Sequence, residues 1–178
     1  MAADLERRRT ARLLLTRIGA GDLADLCRMH RDPDVMATLG GRRSDEVSAD
    51  ILAQLMAHWA EQGFGYWMAR DPDSGAFVGR GGLRRVVVGG SDEVEVGYAL
   101  MPEHWSRGLA TELARECVRV GFECLGLAEL VAFTLPTNEA SRRVMARVGF
   151  RYERDIIWAR MPHVLYRLTA AAWRELGC

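Results

Sequence analysis

The chain has 178 residues, 49% of them hydrophobic, and its 24 Lys+Arg balance its 24 Asp+Glu to a formal net charge of +0. That length supports one well-cored domain and is short for two. No basic block with interleaved aromatics marks a nucleic-acid surface, and no apolar run reaches the ~20 residues that span a bilayer as a helix.

Taken in chain order, residues 1–11, with Arg7-Arg8-Arg9, read as a charged, flexible leader that lacks the apolar core of a signal peptide. Residues 12–16 predict a first strand, and 22–30 a helix with Asp22 as N-cap and Leu23, Leu26 and Cys27 on its apolar stripe. Asp32-Pro33 breaks it. A second helix is predicted over 44–62, with Ser44 at its cap, Ile51, Leu52, Leu55, Met56 and Trp59 facing inward, and Gly63 at its end. Three strands follow, 65–70, 76–88 and 93–101, separated by the turn-forming runs Asp71-Pro72-Asp73-Ser74-Gly75 and Gly89-Gly90-Ser91-Asp92. Residues 109–124 form the next helix, and 130–135 are apolar on both faces, as a strand covered from both sides requires. A helix over 139–148, stopped by Gly149, precedes two strands, 150–159 and 163–168, and a short closing helix, 170–176. The order β-α-α-β-β-β-α-β-α-β-β predicts one mixed α/β (α+β) domain over 1–178, a central twisted sheet of about seven strands flanked by helices.

Cys27, Cys117, Cys124 and Cys178 form no C-x-x-C pair, and the scattered histidines add no zinc spacing. Free thiols, no metal and a cytoplasmic location are expected. The chain has no lysine and a single asparagine, Asn138.

Two segments carry chemistry. In Trp105-Ser106-Arg107-Gly108-Leu109-Ala110-Thr111 a glycine turn feeds a helix start. The unpaired N–H groups of a first helical turn converge there, and the helix dipole adds positive potential, so the segment is an anion cradle suited to phosphate. In Asn138-Glu139-Ala140-Ser141-Arg142-Arg143 the asparagine can cap a helix, and Ser141 lies one turn in, where its hydroxyl can face the neighbouring strand.

Glu95-Val96-Gly97-Tyr98-Ala99-Leu100, then Trp105 to Ala110 with Thr111-Glu112, then Asn138-x-x-Ser141 and Gly149-Phe150, together resemble the GNAT superfamily of N-acetyltransferases. The closer match is its ribosomal-protein alanine acetyltransferase branch, which Arg12-Leu13-Leu14-Leu15 and Asp32-Pro33 also resemble, and nearly the whole chain is covered. The resemblance implies bound acetyl-CoA, its pyrophosphate on the backbone amides of Ser106, Arg107, Gly108, Leu109, Ala110 and Thr111. The pantetheine arm would enter a wedge between the 93–101 and 130–135 strands and pair with main chain near Tyr98, Leu100 and Met101, with Asn138 and Arg143 completing the cofactor-binding set. Parted strands expose N–H and C=O groups that the amides of pantetheine can satisfy. The family's pyrophosphate pattern usually begins with Gln or Arg where this chain has Trp105, a departure of small consequence when backbone N–H groups do the binding.

Acetyl transfer to an amine needs a neutral nucleophile, a stabilised oxyanion and a proton for the departing thiolate. Glu95 is the expected base, directly or through water, and Glu93, on the same strand face, is its competitor. A backbone N–H near 98–100, exposed by a bulge, is expected to hold the oxyanion. Many superfamily members donate the proton from a tyrosine on the helix after the asparagine; here Ser141 resembles the branch's donor. A free α-amine titrates at about 8 and lysine at about 10.4, so deprotonating lysine at neutral pH costs about 3 kcal/mol more. That favours a protein N-terminal α-amine or a small-molecule amine of low pKa. Phe64, Tyr66, Trp67, Trp158 and Met161 are the candidate walls of the acceptor pocket. A homodimer is compatible with all of this. The alternatives are an antibiotic- or polyamine-acetylating enzyme and a non-catalytic acyl-CoA sensor. A dinucleotide fold or P-loop is disfavoured, because Gly79-Arg80-Gly81-Gly82 fits neither pattern and no lysine exists.

Overall fold

The alternating and apolar runs assemble, in a computed structural model that describes residues 5–177, into one eight-stranded sheet. Its strands are β1 (Arg7–Arg9), β2 (Leu14–Arg17), β3 (Tyr66–Arg70), β4 (Phe77–Val88), β5 (Ser91–Leu100), β6 (Glu129–Thr134), β7 (Arg151–Trp158) and β8 (Met161–Thr169). The helices are α1 (Leu23–Arg31), α2 (Pro33–Met36), α3 (Asp45–Gln62), α4 (Leu109–Arg119), α5 (Glu139–Val148) and α6 (Ala170–Glu175). The spatial order is β1-β2-β3-β4-β5-β6-β8-β7, antiparallel at every contact except β5–β6.

The eighth strand corrects the expected flexible leader. Arg7–Arg9 pairs with β2 at the sheet edge, Arg8 meets Glu116 of α4 at 2.9 Å, and the Leu5 carbonyl accepts the Trp67 indole N–H at 2.7 Å. An edge strand tolerates charge because one side faces water, and each long arginine can reach a carboxylate on the neighbouring helix. Residues 1–4 of the expected leader, and Cys178, lie outside the described residues. The first predicted strand starts later than expected, at Leu14, because the Thr10 N–H bonds the Leu13 carbonyl (2.9 Å) and turns Arg12 outward.

Strand register sorts the side chains onto two faces. Gly81, Tyr98 and their neighbours face α4 and α5: a Cβ on Gly81 would lie 2.8 Å from Leu113 of α4, and Tyr98 reaches Ser141 of α5. Arg80, Gly82, Arg84, Glu95 and Gly97 point to the opposite face, over which α1 lies. There Arg70 of β3 holds Asp22 and Asp25 at 2.9 and 2.7 Å, and α3 joins α1 through Ser48 and His30, 2.9 Å apart. The residues buried between sheet and helices include Leu13, Leu15, Trp67, Leu113, Leu130 and Met145. Beyond α4 the chain continues through Val120–Cys124 as a π-helical turn, which lays Gly121 against Leu130 of β6.

One irregularity positions the site. β4 and β5 pair without a break from Gly79↔Leu100 to Val88↔Ser91, whereas β5 and β6 share only Glu95↔Val131. Beyond that pair the two parallel neighbours separate.

Candidate active site

The wedge is lined by main chain. The Met101 N–H bonds the Val78 carbonyl at 2.9 Å, so strand alternation turns the N–H and C=O of Leu100 and Tyr98 away from β4 and toward the space that β6 vacates. The Met101 carbonyl accepts the His104 N–H at 3.0 Å. No bulge interrupts β5, contrary to expectation; strand divergence alone exposes the Tyr98 amide.

At the end of β5 the Trp105 indole donates to the Leu100 carbonyl at 2.8 Å and tethers the loop that follows. Ser106 (φ 61°) and Gly108 (φ 77°) are left-handed, which folds the chain sharply into α4. The Glu112 N–H bonds the Gly108 carbonyl at 3.1 Å. The N–H groups of Leu109, Ala110 and Thr111 precede it in the first turn, without helical partners, and point out of the helix start. Arg12 clamps this corner, donating to the Arg107 carbonyl and to Glu112, both at 2.8 Å. A cavity of about 430 Å³ opens alongside, lined by Arg12, Gly108, Thr111, Arg115 and Arg119 among others.

Across the wedge, the Asn138 side chain is engaged at both ends. Its Oδ1 accepts the Ser141 N–H (3.1 Å), and its Nδ2 donates to Thr134 Oγ1 (3.0 Å). It therefore fixes the start of α5 to the end of β6 and orients Ser141. Ser141 Oγ lies 3.1 Å from the Tyr98 hydroxyl, which also donates to the Ser141 carbonyl at 3.2 Å. Burial holds the Tyr98 phenol well above its ordinary pKa, so it stays protonated. This hydroxyl pair was missed in sequence, although alternation alone places Tyr98 on the face opposite Glu95. Arg143 is exposed, paired with Glu139 at 3.3 Å beside a shallow hollow that Arg142 and Tyr166 share.

On the other face, Glu95 is 5% exposed and ion-paired with Arg84. The Tyr66 ring crosses the sheet over two glycines, close enough that a Cβ on Gly97 would lie 1.8 Å from its hydroxyl. Burial, reinforced by the Glu95 carboxylate, pushes the Tyr66 phenol up to about 12. The Arg80 guanidinium lies 5.3 Å over the Tyr66 ring, and that of Arg84 5.9 Å from Trp158, which packs on Phe133 at 5.0 Å. Glu93 is committed elsewhere: Arg167 grips it at 2.8 and 3.0 Å and also binds Glu129 and Glu153. That network ties Glu93 to β8, as Arg84 ties Glu95 to β4.

Two predicted pocket walls are core residues. Trp67 has no exposure and packs 5.9 Å from Trp59, and Phe64 is buried against His58 at 5.3 Å. Both are consumed in seating α3 on β3, where the Trp59 indole also bonds the Tyr66 carbonyl (2.7 Å). Trp158, half-buried beside Arg84, and Tyr66 do face the site. Met161 lies at the β7–β8 turn. Among the described residues no group of His, Cys, Asp and Glu could hold a metal, Cys27, Cys117 and Cys124 are free, and no helix is long and apolar enough to cross a membrane.

Comparison with known proteins matches residues 12–151 to the family described as Acetyltransferase (GNAT) domain. The FsC-acetyl coenzyme A-N(2)-transacetylase of Aspergillus fumigatus is 36% identical, over 94% of this chain and 77% of that protein. Among solved structures, an acetyltransferase from Agrobacterium tumefaciens superposes with a TM-score of 0.80 at 24% identity, covering 94% of this chain and 96% of the other. The ribosomal-protein-S5-alanine acetyltransferase of Vibrio fischeri gives a TM-score of 0.74 at 19% identity, covering 94% and 98%. At those identities the two structures establish the shared fold.

Proposed function

The chain belongs to the acetyltransferase (GNAT) family and is an acetyl-CoA-dependent N-acetyltransferase, and from that premise we propose that it acetylates a primary amine presented on the Glu95 face of the sheet. The observation that carries this reading is the single shared pair of β5 and β6, which opens a main-chain-lined wedge directly before the α4 start. The donor's phosphates suit the amides of Ser106 to Thr111; its pantetheine amides suit the N–H and C=O of Tyr98 and the N–H of Leu100, whose carbonyl already accepts the Trp105 indole.

In the proposed reaction the neutral amine attacks the thioester carbon, a C–N bond forms, and the C–S bond breaks. The Tyr98 N–H faces the wedge where the oxyanion develops. The amine proton passes to Glu95, directly or through a water that the Tyr66 hydroxyl orients over Gly97. On the far face Ser141 Oγ, backed by the Tyr98 hydroxyl, supplies a proton to the leaving thiolate. Glu95 is ion-paired with Arg84. An acceptor of low pKa, such as an α-amine, suits a carboxylate base better than a lysine side chain.

Thiol release across a panel of peptide N-termini and small amines identifies the acceptor class. Glu95→Gln should lower kcat on the best acceptor about 10²–10³-fold, and Ser141→Ala about tenfold, with coenzyme A affinity retained. Full kcat in both variants refutes the assigned roles.

A further inference from the structure

On the acceptor face, positive charge outnumbers its partners. Arg80 and Arg84 project from β4 on the same side as Glu95, and Arg43, just before α3, is tied to the same region by its N–H bond to the His30 carbonyl (3.0 Å). Glu95 is already paired with Arg84. Among the described residues no carboxylate lies within ion-pair distance of Arg80 or Arg43: Arg43 has only the Leu39 carbonyl, at 2.9 Å, and the buried Nε of Arg80 has no hydrogen-bond partner. Burial lowers the pKa of both, and so do the neighbouring arginines.

His30 contributes no countercharge. Its Nδ1 lies 2.9 Å from Ser48 Oγ, whose single proton is donated to the Ser44 carbonyl at 2.8 Å. The hydroxyl therefore accepts from Nδ1–H, and burial beside Arg80 and Arg43 keeps the ring neutral, with a bare, unpartnered Nε2 at zero exposure. Partly buried guanidinium groups without an anion are costly, and their planar forks match a carboxylate bidentately. The donor's phosphates are an unsuitable occupant, because the α4 start and Ser141 lie on the face of Gly81 and Tyr98, across the sheet from Arg80.

We infer that the acceptor carries a carboxylate or similarly compact oxyanion, received by Arg80 and Arg43 beside the amine that faces Glu95. This rests on the reading of acetyl transfer across the β5–β6 wedge. It specifies an amino-carboxylate acceptor, such as an amino acid or a small peptide with its free carboxylate close by, and disfavours polycations. The Tyr66 ring, with the Arg80 guanidinium over it and its hydroxyl above Gly97, spans the two ends of such a molecule.

The test is thermal unfolding with coenzyme A held at saturation, so that the α4 start is filled, and glutarate as the anion probe. Glutarate should raise the Tm of the wild type by a few °C, its neutral diamide should not, and Arg80→Gln and Arg43→Gln should each abolish the glutarate shift while keeping the shift from coenzyme A. In turnover, amino acids should exceed their carboxamides in kcat/KM by about tenfold, even though amidation makes the amine less basic and more readily neutral. Arg80→Gln should erase that preference, mainly through KM. If coenzyme A shifts Tm and glutarate does not, or if carboxamides or polyamines are the better acceptors, the anion site is wrong and the donor reading stands. Failure of coenzyme A itself to shift Tm overturns the donor reading.

Discussion

Glu93 and Glu95 are two positions apart on one face of β5, and periodicity gives no way to choose between them. The difference comes from β8, far away in sequence, which sends Arg167 to Glu93 and leaves Glu95 to the arginine of β4. Ser141 was identifiable from its spacing after Asn138, whereas its partnership with the Tyr98 hydroxyl depends on how β5 and α5 pack. The aromatic walls were half legible: composition marks Phe64, Trp67 and Trp158 alike as large and apolar, and only the packing of α3 separates core from site. His30 carries a pH prediction. Burial, with Arg80 and Arg43 beside it, lowers its pKa from 6.5 to about 4, so between those values the unfolded chain binds the proton and the folded chain does not. Stability from this group is complete above about pH 6.5 and falls as pH drops toward 4, by up to about 3 kcal/mol. Urea unfolding at stepped pH should show His30→Gln with a shallower loss than the wild type over that interval; equal slopes would mean that His30 is not the group responsible.

At the scale of elements, the strand-to-helix corner was the most readable part of the chain. A glycine before an amphipathic run signals a helix start, and Gly108 occupies the left-handed position that joins the loop to α4. Its surroundings were less readable, because Trp105 ties back to Leu100 and Arg12 reaches in from the β1–β2 turn. Both are contacts that local propensity does not encode. The edge strand β1 was misjudged for the same reason: three arginines in a row look solvated until α4 supplies Glu116. A Cβ at position 108 has space, the nearest atom being Arg12 Nη2 at 3.6 Å, so Gly108→Ala isolates the cost of the positive φ. That substitution should destabilise the fold by about 1–2 kcal/mol and weaken coenzyme A binding, read by thermal melts and calorimetry. Unchanged affinity would show that the corner does not cradle the donor.

Across the whole molecule, the order of elements anticipated the mixed sheet, and the parallel β5–β6 contact is where the proposed donor wedge opens. What no pattern in the chain announced is how short that contact is: residues 130–135 look like an ordinary buried strand, and the separation after Glu95↔Val131 results from β8 holding β6 along its length while β4 holds β5. On the proposed reading the wedge divides the molecule into a donor side, with α4, Tyr98 and Ser141, and an acceptor side, with Glu95, Tyr66 and the arginines. Amide hydrogen exchange with and without acetyl-CoA tests that division directly. Protection is predicted at the Tyr98 and Leu100 amides and at those of residues 106–111, with β1 and β7 unchanged. Protection that bypasses β5 and the α4 start would contradict the assignment of the wedge as the donor's seat.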